Sequence, residues 1–112
     1  MKAAFLALGL SLALAVPALA DERTEPPVPV RTTAPDYPET MRSRGLSGLV
    51  LVNCLIDEKG SVQDMKVEKA SNDEFVRPAM KALSKWRFKP AQRDGAKVSI
   101  RVSIPIRFTF ET

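Results

Sequence analysis

The sequence predicts an α+β domain: a three-stranded antiparallel sheet, strands in the spatial order second–first–third, with two helices on one face. Three observations carry this. Val98, Ile100, Val102, Ile104, Ile106, Phe108 and Phe110 alternate with Ser99, Arg101, Ser103, Pro105, Arg107 and Thr109, the period-two pattern of a half-buried strand. The segment Leu49 to Asp57 is apolar at Val50, Val52, Cys54 and Ile56 and again at Leu49, Leu51 and Leu55, as expected of a strand covered on both faces in the middle of a sheet. Phe75, Ala79, Leu83 and Trp86 recur at helical spacing, one face of an amphipathic helix.

From the N-terminus, Lys2 is followed by the apolar run Ala3 to Val16, then Pro17 and Ala18-Leu19-Ala20. A positive start, an apolar stretch and small residues before Asp21 are the layout of a signal peptide cleaved after Ala20, which places the mature chain in an exported compartment, the periplasm of a Gram-negative host. The alternative is an uncleaved inner-membrane anchor facing the periplasm, since the run is near the lower length for crossing a bilayer. Residues 21–34 follow as a proline-rich, extended leader, with Pro26, Pro27 and Pro29 and no apolar period. Residues 35–112 form the domain proper.

Within it, Pro38 suits the first turn of a short helix over Glu39–Arg44, and Gly45 suits its stop. The doubly apolar strand opens at Gly48. Asp57-Glu58-Lys59-Gly60 is a turn, and Val62 to Ser71 returns as the second strand of a hairpin, Met65 and Val67 inward, Lys66 and Glu68 outward. Pro78 would break a helix interior, so the second helix begins at Val76 or Arg77, and Phe88-Lys89-Pro90 ends it. Asp94-Gly95 is a turn. Pro105 has no amide to donate, which argues for an edge position of the last strand. With the first strand paired to the second by the hairpin, the last lies on the first strand's other side.

Composition narrows the function. The 112 residues contain no His and one Cys, which excludes His-based acid/base chemistry, a Ser-His-Asp or Cys-His site and a Cys/His zinc site. A net charge of +4 falls short of a nucleic-acid-binding signature. Asp57, Glu58, Asp73, Glu74 and Asp94 lie in turns, where carboxylates serve the backbone. No catalytic, metal or cofactor role is assigned, no small-molecule substrate is expected, and the chain does not read as an enzyme.

An ordered set of short pieces resembles a known family. Pro35-Asp36-Tyr37-Pro38, Gly48-Leu49-Val50, Asp57-Glu58-Lys59-Gly60-Ser61-Val62, Trp86-Arg87-Phe88-Lys89-Pro90-Ala91, Asp94-Gly95 and Ile104-Pro105-Ile106-Arg107-Phe108 are similar, in this order and spacing, to the C-terminal domain of the TonB energy transducers. The resemblance implies a domain that grasps an extended segment at the N-terminus of a TonB-dependent outer-membrane receptor. The segment adds as a strand to the exposed last strand, and force from an inner-membrane proton channel drives import of siderophores and similar cargo. The partner-binding residues it implies are the edge Val98, Ser99, Ile100, Arg101, Val102, Ser103, Ile104, Pro105 and Ile106, with Tyr37 and Pro38 nearby. The chain departs from the pattern in three places. It has no His of the kind the transducers' anchor helix uses for coupling, its leader is far shorter than their proline-rich spacer, and Ala34 stands where many transducers have Gln.

Other residues carry open alternatives. Trp86 reads as a core anchor or a partner contact, and Tyr37 as either with equal weight. Cys54 reads as a buried small hydrophobe, or as the source of an intermolecular disulfide if exposed. Arg77, Lys81 and Lys85 read as a solvated helix face or as a basic stripe drawn to an acidic partner or an anionic envelope surface. Leu49, Leu51 and Leu55 on the open face of the sheet either mark a second interface, for a homodimer or a docked partner, or are covered by the stems of Arg101 and Arg107.

Overall fold

A computed structural model of the chain describes residues 23–110. The signal peptide or anchor expected over Met1–Ala20 lies outside the described residues. The elements, in chain order, are β1 (Thr24–Glu25), β2 (Val28–Arg31), α1 (Glu39–Ser43), β3 (Gly48–Ile56), β4 (Val62–Ala70), α2 (Val76–Ser84), β5 (Arg87–Lys89), β6 (Ala91–Arg93), β7 (Ala96–Val98) and β8 (Ile100–Phe108).

The main sheet has the order β4-β3-β8, antiparallel throughout, as the alternation and the doubly apolar strand imply. One face of β3 presents Val50, Val52, Cys54 and Ile56, all buried, and β8 adds Ile104, Ile106 and Phe108. Met41 of α1, Phe75, Ala79 and Leu83 close the core over them. Each large aliphatic side chain taken from water here contributes roughly 1.5–3 kcal/mol.

Short α1 begins after Pro38 and ends at Gly45, whose φ of 65° turns the chain out of the helix. The Gly45 amide donates to the Arg42 carbonyl and the Leu46 amide to that of Met41, each at 3.0 Å, satisfying carbonyls that a helix end leaves bare. The β3–β4 turn is held by Asp57, whose Oδ1 accepts from the amides of Lys59 and Ser61 at 2.9 Å each. Those bonds to the ionised form hold its carboxyl below the usual range.

Four expectations need correction. Helix α2 stops at Ser84. Phe75 sits before it in a short 3-10 turn, Asp73–Phe75, whose start is capped by Asn72 Oδ1 accepting from the Glu74 amide at 2.9 Å. Trp86 lies past the helix end, and Phe88, expected to terminate the helix, is a buried strand residue of β5. The last strand is broken at Ser99: Val98 belongs to β7, which pairs with β6 through a turn at Asp94-Gly95, both at positive φ. The leader is extended but not free. Val28–Arg31 pairs antiparallel with β5, and Thr24–Glu25 with β6. Finally, β4 slips register twice against β3, and Asp64 takes φ 48°. Val67 opposes Val52 but remains 39% exposed, because β4 is an edge strand with no neighbour on its far side.

Candidate functional site

The free side of β8 is defined by backbone polarity. In an antiparallel pair, opposed residues alternate between exchanging both hydrogen bonds and exchanging none. The Leu49 carbonyl accepts from the Ser71 amide, and the Leu49 amide donates to Ser71 Oγ, both at 2.9 Å. Leu49 therefore directs its backbone groups toward the β4 side. Its partner across β8 is Arg107, and the register runs without slip through Leu51–Pro105, Asn53–Ser103 and Leu55–Arg101. In β8, Arg101, Ser103, Pro105 and Arg107 thus point their backbone groups away from β3, and Val102, Ile104 and Ile106 spend theirs on the β3 ladder. Pro105 falls where its missing amide leaves no bond of that ladder unmade.

Of the edge residues expected to bind a partner, Ile100 to Ile106 form one continuous strand. Val98 and Ser99 do not extend it: Val98 is opposite Ala91 in the small sheet. Tyr37 is not an open loop aromatic. Its ring packs edge-on against Phe75 (6.0 Å between centroids) and Phe108 (5.8 Å). Its hydroxyl donates to the Leu46 carbonyl, and the Arg42 guanidinium lies 4.9 Å from the ring centroid. The β8 ring it packs against, Phe108, lies beyond the expected edge residues.

A groove of about 340 Å³ flanks the end of that edge. It is lined by Pro105–Arg107, by Thr32–Ala34 of the leader with Pro35, and by Trp86. Trp86 is half-buried beside Phe88, and its indole Nε1 donates to the Thr33 carbonyl at 3.0 Å. It therefore anchors both core and leader. Sequence reasoning missed the leader wall. The one available signal was the indole N–H itself, which needs an acceptor when its ring is buried.

On the open face, Arg101 reaches across β3. Its Nε donates to Asn53 Oδ1 at 2.8 Å, its Nη1 to Asp64 Oδ2 and its Nη2 to the Asp64 carbonyl at 2.9 Å each. Ser103 Oγ donates to Glu68 Oε1 at 2.7 Å. Leu49, Leu51 and Leu55 are half-buried on the same face, and Arg107, Pro105 and Arg101 stand opposite them. Asn53 and its arginine divide the leucines into two small apolar areas. Cys54 is 0% exposed, and burial pushes its thiol up, so the disulfide reading has no exposed sulfur to use. Among the described residues no group of three or more His, Cys, Asp and Glu could hold a metal ion, and no helix is long and apolar enough to cross a membrane.

Fold and site together define a small α+β domain whose main sheet leaves the outer edges of β4 and β8 unpaired among the described residues. Residues 33–110 match the family described as the Gram-negative bacterial TonB protein C-terminal. The chain is 32% identical over 78 residues to protein TonB of Vibrio cholerae, covering 69% of this chain and 32% of that protein. It is 37% identical over 76 residues to protein tonB2 of Pseudomonas aeruginosa, covering 67% and 28%. The solution NMR structure of the Pseudomonas aeruginosa TonB CTD matches with a TM-score of 0.63 at 30% identity, over 84% of this chain and 93% of that one. The chain belongs to the TonB C-terminal family. It spans about a third of the length of the curated relatives it matches.

Proposed function

We propose that this chain is a periplasmic TonB-like binding module that receives an extended segment of a TonB-dependent outer-membrane receptor, or of another envelope protein, as an added strand, in a system of energy-dependent transport across the outer membrane. The observation that carries this is the outward backbone of β8: Arg101 and Ser103 offer both amide and carbonyl to an incoming strand. Beyond them the ladder thins at Pro105, where only a carbonyl is on offer, and the groove beside Thr32–Pro35 takes over as a place for side chains.

The test is an amide NMR titration of the chain with N-terminal peptides of the host's outer-membrane receptors. Expected are shifts along Ile100–Arg107 and at Thr32–Pro35, abolished by Ser103→Pro, which removes an outward amide and leaves the β3 ladder whole. Val102→Pro would instead cut that ladder and unfold the sheet. No shifts at millimolar peptide, where binding of only about 4 kcal/mol registers, overturns the proposal.

Two alternatives have their own measurements. The intact mass of the cellular protein distinguishes a chain starting at Asp21 from a membrane-anchored transducer that keeps its first residues. The partial exposure of Leu49, Leu51 and Leu55 favours a dimeric adaptor as second reading; a sedimentation coefficient that falls to the monomer value in Leu51→Lys would establish it.

A further inference from the structure

We propose that the ribbon formed by the leader and β5, with the adjoining side of α2, is a docking surface for an anionic lipid bilayer. Arg31 stands directly opposite Arg87, and Val28 opposite Lys89. Opposed residues share a face, and Arg87 and Lys89, two apart, share it too, with Phe88 buried on the other side. The outward face of the ribbon is therefore Val28, Arg31, Arg87 and Lys89, all exposed. Like charges placed directly across a strand pair repel, so the Arg31–Arg87 pair works against the ribbon unless an anion lies over it. Just past Arg31, the leader runs along α2, where Lys81 and Lys85 line a small groove with Thr33 and Ala34. The one carboxylate there is Asp36. Among the described residues the ion pairs are Arg23–Asp94 and Arg101–Asp64, and neither uses any of these five cations.

Charge alone would suit any polyanion, and the valines select among them. Val28, opposite Lys89, and Val30, beside Arg31 at the register shift, are 50% and 67% exposed, the most exposed large apolar side chains among the described residues. A bilayer with anionic headgroups meets both needs at once, offering phosphates to the arginines and lysines and the acyl boundary to the valines. A soluble polyanion has nothing to offer the valines.

The experiment is flotation of the chain, in the form recovered from expressing cells, with vesicles of phosphatidylglycerol and phosphatidylcholine or of phosphatidylcholine alone. Neutral vesicles report whatever the apolar N-terminal residues contribute, so the excess on anionic vesicles is the readout. Expected is an anionic excess that disappears between about 0.1 M and 1 M salt, as the screening length falls from about 10 Å to about 3 Å. Arg31→Glu with Arg87→Glu should lower it at least about tenfold, and Val30→Ser should weaken it. Lys66→Glu with Lys69→Glu makes the same net-charge change on β4 and should leave most of it. Far-UV circular dichroism confirms that each variant is folded. Equal binding to both vesicles, or equal losses in the two double variants, overturns the proposal. So does capture of the chain by soluble polyglutamate without an anionic-vesicle excess, which would assign the surface to an acidic polypeptide.

Discussion

Two glycines of the family motifs are held by neighbours that leave no room for a side chain. A Cβ on Gly48 would come 2.1 Å from the Phe75 ring, and one on Gly60 would come 1.8 Å from the Phe88 carbonyl oxygen at a φ of 84°. Gly48→Ala should cost about 1–3 kcal/mol as overpacking. Gly60→Ala should cost more, because backbone cannot yield as a ring can. Urea midpoints of the two variants check the order. Cys54 has the opposite character, sealed and silent. Its thiol should react with a colorimetric thiol reagent only as fast as the chain opens, and Cys54→Ser, which buries a hydroxyl in the apolar core opposite Val102, should lose about 1–3 kcal/mol. Asp57 carries a pH signature. Its folded carboxyl is held below its ordinary value of 3.8, so its stabilising effect is fully present above that value and is lost as pH falls through the folded value. The melting-temperature gap between wild type and Asp57→Ala should therefore be constant near neutrality and narrow on acidification below about pH 4.

At the scale of elements, legibility followed the range of the cause. Helix α1 was readable because Pro38 and Gly45 act within a turn of their own positions, and β3 because seven apolar residues in nine leave few other fates. The exposed edge of β8 was readable from Pro105, but its handing of groups was not, since that depends on which way Leu49 faces across the sheet. The three-residue strands β5, β6 and β7 have no period long enough to detect, and Lys89-Pro90 resembles a simple helix stop. The docking of the leader was the least visible feature. Its anchor joins Thr33 to Trp86, 53 positions apart, and neither residue's local sequence hints at the other. That anchor is testable. Trp86→Phe keeps most of the ring and removes one half-buried hydrogen bond, a loss of about 1 kcal/mol. Amide exchange of Val28–Arg31 should accelerate about fivefold, with the amides of β3 unchanged.

Across the whole molecule, three functions are spatially separate. The core side of the sheet carries stability, the outer edge of β8 with its groove carries the proposed partner recognition, and the outward basic face of the leader–β5 ribbon carries the proposed bilayer contact, with Phe88 turned into the core behind it. Trp86 is where they meet, lining the groove, packing on Phe88 and holding the leader. A partner strand on β8 and a bilayer on the ribbon would both bear on the segment Thr32–Pro35.

The pairing of Gly48 with Phe108 also governs when the chain becomes a protein. The β3–β4 hairpin is local and can form as soon as both strands exist, but the core stays open until β8, distant in sequence from β3, arrives to pair with its other side. Contacts that join distant parts of a chain form slowly, after the cost of closing a long loop has been met. A chain of this design therefore keeps its core open until β8 has joined β3, and that closure rather than the hairpin should limit folding.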